Sequence, residues 1–288
     1  MSLERIESVA VLGAGTMGRG IAQNAAQAGL HVRLVDADLD RAESARDAVD
    51  HQLRRLQEKG RLSMAEVDVI LERIQAVATR AEAVVAADVV VEAAPEDLAL
   101  KREVFAALAI EAPPHAILGS NTSSLPIARI AAGCGAEERV IGLHFFNPVP
   151  IKTLLEIIRG ERTSQATVDR ALQFARLLAK DAILVADSPG FATSRLGVLL
   201  GLEAMRMLEQ GVASAADIDK AMRLGYGHPM GPLETSDLVG LDVRLAIAEH
   251  LQRELGSAAF EPPAILREMV KAGRLGRKTG AGFHDYGS

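Results

Sequence analysis

The sequence has little cysteine, no long apolar run and no excess of basic residues, and each absence excludes a class of protein. Cys134 is the single cysteine, so no internal disulfide can form and a reducing cytosol is the expected compartment. No stretch of 18 apolar residues occurs, and the apolar part of segment 1–13 is too short for an export signal, so we expect a soluble, unprocessed chain. The 38 acidic residues outnumber the 32 Lys and Arg, and the net charge of −6 argues against a broad nucleic-acid or anionic-membrane surface.

Signals of a metal site and of disorder are also missing. The seven histidines occur without H-x-x-H spacing, and one cysteine cannot form C-x-x-C, so no metal is expected. Apolar residues make up 49% of the chain and charged residues 24%, which is an ordinary globular composition. At roughly 150 residues per domain, a chain of 288 residues predicts two domains.

The first part of the chain has the alternation of a parallel sheet with helical crossovers. Helical patterns such as those at 41–59 and 97–109 lie between short β-branched runs, and Ser63 with Glu66 three residues later forms a capping box that begins another helix. Parallel strands need such crossovers, so we expect a Rossmann-like α/β domain. The predicted parallel strands are 8–12, 32–36, 74–78, 88–93 and 116–119.

Two further runs, 139–146 and 154–158, are separated by a segment too short for a helix, so they predict an antiparallel pair. A helix at 164–180 and a strand at 182–185 follow, and the segment 187–190 then breaks the pattern. We place the domain boundary there, which gives a Rossmann-like domain at 1–187 and a second domain at 188–288.

The second domain is predicted to be all-helical, because strand signals disappear after residue 190. Runs such as 196–202 are apolar on more than one face, which predicts burial against a second copy of the chain in a homodimer. The helical patterns lie at 191–210, 214–224, 233–255 and 263–272.

A glycine-rich motif follows the first strand and opens a helical pattern, which is the context of a dinucleotide-binding turn. Its first glycine permits the tight turn, the second lets a pyrophosphate approach the backbone, and the third lets the helix pack on the strand. The phosphates then sit at the helix N-terminus. The motif reads Gly13-Ala14-Gly15-Thr16-Met17-Gly18.

Asp36 ends the second strand, about 20 residues after the motif. A carboxylate there accepts hydrogen bonds from the adenosine ribose and repels a 2′-phosphate, which favours NAD over NADP. Arg41, five residues on, is able to meet a phosphate, so the choice of cofactor stays open. The alternative for Asp36 is a helix cap or loop acid.

Longer segments carry a family resemblance. They are 90–93, 120–125, 142–150, 187–191, 227–232 and 278–283 together with the glycine motif, and they span nearly the whole chain. The sequence resembles the L-3-hydroxyacyl-CoA dehydrogenases of the stand-alone, 3-hydroxybutyryl-CoA type. The resemblance implies an N-terminal Rossmann-like domain, a C-terminal helical dimerisation domain, and reversible oxidation of a 3-hydroxyacyl-CoA thioester by NAD.

By this resemblance His144 is the catalytic base and Glu156 its partner. The sequence gives an independent reason to pair them, because their midpoint is residue 150, inside the predicted turn, and residues equidistant from a tight antiparallel turn face each other. The carboxylate would hold one imidazole tautomer and stabilise the imidazolium. The alternative is a core histidine bonded to Glu156 for structure alone.

The resemblance assigns further ligand contacts. Ser123 corresponds to the serine that forms a hydrogen bond with the reacting oxygen, and it also borders the cofactor. The other predicted cofactor contacts are Glu96, Lys101 and Lys278. The predicted contacts with the CoA thioester are Lys59 and Ser123. A loop serine and solvated helix faces are the alternatives.

The chain departs from the family pattern at one active-site position. Ser194 stands where the family carries an asparagine, and serine has a shorter reach and no amide. We expect Ser194 to affect substrate binding or acyl-chain preference rather than to abolish the chemistry. Competing functions are an NAD-dependent sugar-acid dehydrogenase of the L-gulonate type and a non-catalytic dinucleotide-binding protein; the intact set of Ser123, His144 and Glu156 argues against the latter.

Overall fold

A computed structural model describes residues 5–287 of the chain. The beginning of segment 1–13, in which no export signal is expected, lies outside the described residues. The chain divides into two compact units, the first ending at Ser188 and the second beginning at Pro189. No helix among the described residues is both long enough and apolar enough to cross a bilayer.

The first unit is built on one eight-stranded sheet in the order β3-β2-β1-β4-β5-β6-β7-β8. Every neighbouring pair is parallel except β6 and β7, which are antiparallel. The predicted mostly parallel sheet and the antiparallel pair are confirmed, with small differences at strand ends. The strands are β1 (Ser8–Leu12), β2 (His31–Val35), β3 (Ile74–Ala76), β4 (Val89–Glu92), β5 (Ile117–Ser120), β6 (Val140–Phe145), β7 (Leu154–Arg159) and β8 (Asp181–Ala186).

Helices form the connections in this unit and cover the sheet, which explains why its inner strands are apolar on both faces. The capping box at Ser63 and Glu66 is present. Sequence periodicity missed α4 and α6, because a five-residue helix is too short to show a 3.6-residue period. The helices are α1 (Thr16–Gln27), α2 (Leu39–Glu58), α3 (Met64–Glu72), α4 (Arg80–Val84), α5 (Leu98–Glu111), α6 (Ile127–Ala131) and α7 (Gln165–Leu177).

The second unit is helical, as predicted, and has its own buried core, which includes Leu202, Leu233 and Leu251. The single helix predicted at 233–255 is wrong, because the chain breaks at Gly240, whose φ of 102° is a conformation that other residues rarely adopt. Two helices therefore replace one. The unit contains α8 (Thr193–Glu209), α9 (Ala215–Tyr226), α10 (Pro232–Val239), α11 (Leu241–Leu255) and α12 (Ala264–Lys271).

Two buried aspartates fix the C-terminal tail onto the second unit. The Asp237 carboxylate accepts hydrogen bonds from the backbone amides of Phe283 and His284, both at 2.9 Å, and from the Tyr286 hydroxyl at 3.0 Å. The Asp219 carboxylate lies 2.7 Å from Nε2 of His284. Buried carboxylates need such donors, so the tail is held by several bonds at once.

Candidate active site

The turn after β1 has the shape that a bound pyrophosphate requires. A Cβ on Gly13 would lie 2.6 Å from the carbonyl oxygen of Ala93, and a Cβ on Gly18 would lie 1.7 Å from the carbonyl oxygen of Gly13, so neither position tolerates a side chain. A Cβ on Gly15 would meet nothing within 4 Å, which leaves the backbone open to a ligand. Gly15 precedes α1 and supplies no side-chain cap, so the first amides of α1 are available to an anion.

The Asp36 carboxylate lies beside this turn. It accepts hydrogen bonds from the amides of Ala14 at 2.5 Å and Ala37 at 2.8 Å, and Nη1 of Arg41 is 3.6 Å away. Burial raises the pKa of Asp36, but these amides and Arg41 outweigh it and leave the pKa below its usual value. Asp36 is therefore ionised at neutral pH. A cavity of about 620 Å³ opens here, lined by residues that include Gly13, Gly15, Thr16, Met17, Asp36, Arg41 and Glu92. These residues fit a dinucleotide.

A buried ion pair lies at the carboxyl end of β4. The Glu92 side chain is inaccessible to solvent and its Oε1 is 2.6 Å from Nζ of Lys101, whose side chain is 1% exposed. The Ser120 hydroxyl, at the end of β5, donates to Oε2 of Glu92 at 2.7 Å. The alternative of a solvated helix face is thus wrong for Lys101. Its contact with the cofactor stays a prediction.

Glu96 fixes the loop that carries Ser123. Its carboxylate accepts hydrogen bonds from the Thr122 hydroxyl at 2.6 Å, the Ser123 amide at 3.1 Å and the Ser124 hydroxyl at 3.0 Å, and Nζ of Lys101 is 3.5 Å away. Burial raises the pKa of Glu96, but these donors and Lys101 together bring the pKa below its usual value of 4.5. An ionised Glu96 therefore holds the Ser123 loop in place.

His144 and Glu156 face each other across the antiparallel pair, as predicted. The two residues are directly opposite in register, and Nδ1 of His144 lies 2.7 Å from Oε2 of Glu156. The side chains are 9% and 0% exposed. The His144 imidazole also contacts the Phe146 ring, with 4.5 Å between ring centroids. A carboxylate this close and dry can orient the ring and stabilise an imidazolium.

Lys180 anchors the turn between β6 and β7. Its buried Nζ donates to the carbonyl oxygens of Val149 at 2.6 Å and Lys152 at 2.7 Å. Burial lowers the pKa of the Lys180 ammonium. The turn that joins the His144 and Glu156 strands is therefore fixed by a side chain from just before β8.

The remaining predicted contacts stay predictions. Lys59 is exposed and follows α2. Ser194 lies in the first turn of α8. Lys278 forms an ion pair with Asp242, with Nζ and Oδ1 2.5 Å apart. Burial raises the pKa of the Cys134 thiol, which makes a nucleophilic role for it less favourable.

Sequence reasoning missed Glu92, Lys180 and the hydrogen bond from the Phe145 amide to Asn121 at 2.9 Å. A role for Glu92 in the site could have been predicted, because it ends the parallel strand next to β1 and ligands bind at the carboxyl ends of such strands. No sequence pattern indicates the role of Lys180, since its partners are backbone carbonyl oxygens. No group of three or more potential metal ligands occurs within residues 5–287.

A glycine turn with an ionised aspartate beside it and a histidine–glutamate pair at the same end of the parallel strands define a dinucleotide-dependent dehydrogenase. Family models agree with this class. Residues 8–188 match the NAD binding domain of 3-hydroxyacyl-CoA dehydrogenase, and residues 190–286 match its C-terminal domain. The chain belongs to the 3-hydroxyacyl-CoA dehydrogenase family, and its first unit is the NAD-binding domain.

Individual relatives cover nearly the whole chain. A probable 3-hydroxybutyryl-CoA dehydrogenase of Bacillus subtilis is 46% identical over 281 residues, which are 98% of both chains. Among solved structures, (S)-3-hydroxybutyryl-CoA dehydrogenase PaaH1 from Ralstonia eutropha has a TM-score of 0.95 and 40% identity, covering 99% of this chain and 100% of that one. FadB2 of Mycobacterium tuberculosis has a TM-score of 0.93 at 40% identity, with the same coverage.

Proposed function

We propose that the protein catalyses the reversible, NAD-dependent oxidation of an L-3-hydroxyacyl-CoA, such as 3-hydroxybutyryl-CoA, to the 3-oxoacyl-CoA. The observation that carries this proposal is the buried pair of His144 and Glu156, 2.7 Å apart, in the same unit as the dinucleotide turn. Full-length relatives whose names state the same activity support it.

In this proposal His144 is the general base. Glu156 faces Nδ1, so the neutral imidazole carries its proton on Nδ1 and presents Nε2 as the acceptor. The hydroxyl proton of the substrate moves to Nε2 as the C3 carbon loses hydride, and Glu156 stabilises the imidazolium that results. In the reverse direction the imidazolium returns the proton to the oxygen of the 3-oxo group.

The cofactor is held by the glycine turn and by Asp36, and NAD, when bound, supplies the hydride acceptor. Asp36 accepts hydrogen bonds from the ribose hydroxyls, and its negative charge disfavours a 2′-phosphate. Glu96, Lys101 and Lys278 are the further cofactor contacts that we propose.

Ser123 is the proposed donor to the reacting oxygen. Its backbone amide is bonded to Glu96, and its hydroxyl lies 3.5 Å from the same carboxylate, so the loop is fixed and the hydroxyl bond to Glu96 is weak enough to exchange. A hydroxyl can donate to a developing ketone and accept from an alcohol. Ser194 is the proposed second substrate contact and Lys59 a contact for coenzyme A phosphates.

We also propose a homodimer formed through the helical unit. Large apolar side chains are exposed there, including Leu196 at 67%, Leu224 at 77% and Tyr226 at 79%. Pairing with a second copy of this unit would remove that apolar surface from water, so a second copy is the occupant that we favour.

The test is oxidation of (S)-3-hydroxybutyryl-CoA with NAD, monitored by NADH absorbance. We expect turnover with this thioester, little with its (R) enantiomer and none with L-gulonate. Turnover of L-gulonate alone would assign the protein to the sugar-acid dehydrogenases instead. NAD binding without turnover of either substrate would indicate a non-catalytic protein.

A further inference from the structure

Arg80, the first residue of α4, lies in the wall of the cavity beside Asp36. Its guanidinium donates two hydrogen bonds to Glu111, from Nε to Oε2 and from Nη2 to Oε1, both at 2.8 Å. These bonds raise the pKa of Arg80 and lower the pKa of Glu111, so both groups are charged at neutral pH. An ion pair with two parallel bonds also fixes the plane of the guanidinium.

The backbone that carries Arg80 is fixed as well, because α4 begins with a capping box. The Thr79 hydroxyl accepts a hydrogen bond from the Glu82 amide at 3.2 Å, and the Glu82 carboxylate accepts one from the Thr79 amide at 3.2 Å. Arg80 follows directly after Thr79. Its side chain therefore starts from a defined position and ends on a defined partner.

The order of the strands places Arg80 beyond Asp36 as seen from the glycine turn. The glycine turn follows β1, Asp36 follows β2 and Arg80 follows β3, and these three parallel strands are neighbours in that order. The pyrophosphate and the adenosine ribose are assigned to the first two positions, and the base of a dinucleotide is joined to the ribose on the side away from the phosphates. The adenine ring is therefore expected at the third position.

One face of α5 completes this part of the cavity. Leu100 and Val104, four residues apart on that helix, line the cavity, and Leu100 is 37% exposed although it is a large apolar side chain. Glu111 lies seven residues after Val104, which is two turns along the same face. The helix thus supplies both an apolar wall and the acid that fixes Arg80.

Stability alone does not explain this pair. The side chains of Arg80 and Glu111 are 36% and 28% exposed, and ion pairs in contact with solvent contribute little to stability. Both donors that Arg80 uses lie on one edge of the guanidinium, so its flat faces are available to a ligand. None of the described residues that line the cavity is aromatic, whereas guanidinium planes stack well on bases.

A second arginine, Arg41, also lines the cavity but is held less closely. Its ion pairs with Asp36 and Asp38 are 3.6 Å long, and its side chain is 69% exposed. Of the two guanidinium planes, the plane of Arg80 is the one that is preorganised.

We propose that the Arg80 guanidinium, held in place by Glu111, stacks on the adenine ring of NAD, and that Leu100 and Val104 form the apolar wall of the same subsite. Arg80 would then contribute to cofactor affinity through the base rather than through the phosphates. This inference rests on the proposed contact of Asp36 with the adenosine ribose, and it adds the residue that recognises the base.

The test compares the binding of NADH and of reduced nicotinamide cytosine dinucleotide, which differ only in the base. The fluorescence of the reduced nicotinamide measures both dissociation constants without turnover. The wild type should bind NADH more tightly, because adenine offers the larger ring to the guanidinium. Arg80→Met should raise Kd for NADH about fivefold and Kd for the cytosine analogue less than twofold.

Two further variants separate the plane of the guanidinium from its charge. Arg80→Lys keeps the charge without the plane and should raise Kd for NADH by nearly as much as Arg80→Met. Arg129→Met removes an exposed arginine on α6 and should change neither Kd.

Three outcomes would overturn the proposal. Unchanged binding of NADH in Arg80→Met would make the pair with Glu111 a solvated ion pair, and equal losses for both dinucleotides would make its role independent of the base. Full NADH affinity in Arg80→Lys would assign the effect to charge. Failure of the cofactor site itself looks different, because the wild type would then bind neither dinucleotide.

Discussion

Nδ1 of His144 lies 2.7 Å from Oε2 of Glu156, and the two residues are directly opposite each other on antiparallel strands. The sheet register therefore sets the distance, and the glutamate is fully buried. A dry carboxylate in a fixed position determines which ring nitrogen carries the proton. This relationship supports the assignment of His144 as base.

Glu156→Gln tests that relationship while it preserves side-chain shape. The amide cannot stabilise an imidazolium as a carboxylate does, so kcat should fall by about 10²- to 10³-fold. NADH binding, followed by fluorescence, should be unchanged. Glu161→Gln, an exposed glutamate shortly after the same strand, is the control. A kcat for Glu156→Gln within twofold of wild type would show that the pair is structural.

Asp36 is predicted to set cofactor preference. Asp36→Ser removes the carboxylate that bonds the ribose and repels a 2′-phosphate, so KM for NADH should rise about tenfold while that for NADPH falls. Initial rates with both cofactors measure this change. The control is Glu43→Gln, which removes an exposed acid shortly after Asp36 in the sequence and should alter neither KM. If Asp36→Ser still prefers NADH to NADPH as the wild type does, other residues determine the cofactor preference.

Glu96→Gln is predicted to destabilise the fold in a pH-dependent way. The folded-state pKa of Glu96 is lowered, so the ionised carboxylate stabilises the fold above about pH 4.5, and that contribution is lost as the pH falls through the folded-state pKa. At pH 7 the free energy of unfolding of the variant should be about 1 kcal/mol lower than that of the wild type. The effect is this small because the carboxylate is partly exposed, and it should shrink below pH 4.5.

Denaturant unfolding of both proteins from pH 7 to pH 3 measures the effect. Glu103→Gln, an exposed acid on α5, should show no comparable difference. A deficit for Glu96→Gln that is constant across this range would contradict the assignment.

Lys180→Met removes two donors from the turn between β6 and β7. Two carbonyl oxygens then lose their partner, and the free energy of unfolding should fall by about 2 kcal/mol. Because that turn joins the strands of His144 and Glu156, kcat should fall several-fold as well. Thermal unfolding and initial rates check both effects against Lys152→Met, whose exposed side chain lies in the same turn. Wild-type stability in Lys180→Met would contradict the anchoring role.

Much of the first unit was predictable because its parallel strands are buried on both faces and read as short apolar runs between helices. The facing of His144 and Glu156 followed from symmetry about a tight turn, which is a local property. The break at Gly240 was not predictable in the same way, since apolar periodicity continues on both sides of it and only the φ of 102° separates the helices.

The burial of particular charged residues could not be predicted from the sequence. Lys101 was expected either at the cofactor or on a wet helix face, yet its ammonium is buried against Glu92, nine residues earlier and on another element. Such pairs depend on which strand ends the topology brings together. Arg244 is similar, because only the packing of α11 against the α8 glycines shows that it is buried.

Whether His144 is the base of a thioester dehydrogenase is tested by NADH consumption with acetoacetyl-CoA, measured for the wild type beside His144→Ala. We predict rapid loss of NADH absorbance with the wild type and a rate at least 10²-fold lower with His144→Ala, while NADH binding is retained. A His144→Ala variant with wild-type turnover, or a wild type that binds NADH without consuming it, would contradict the assignment.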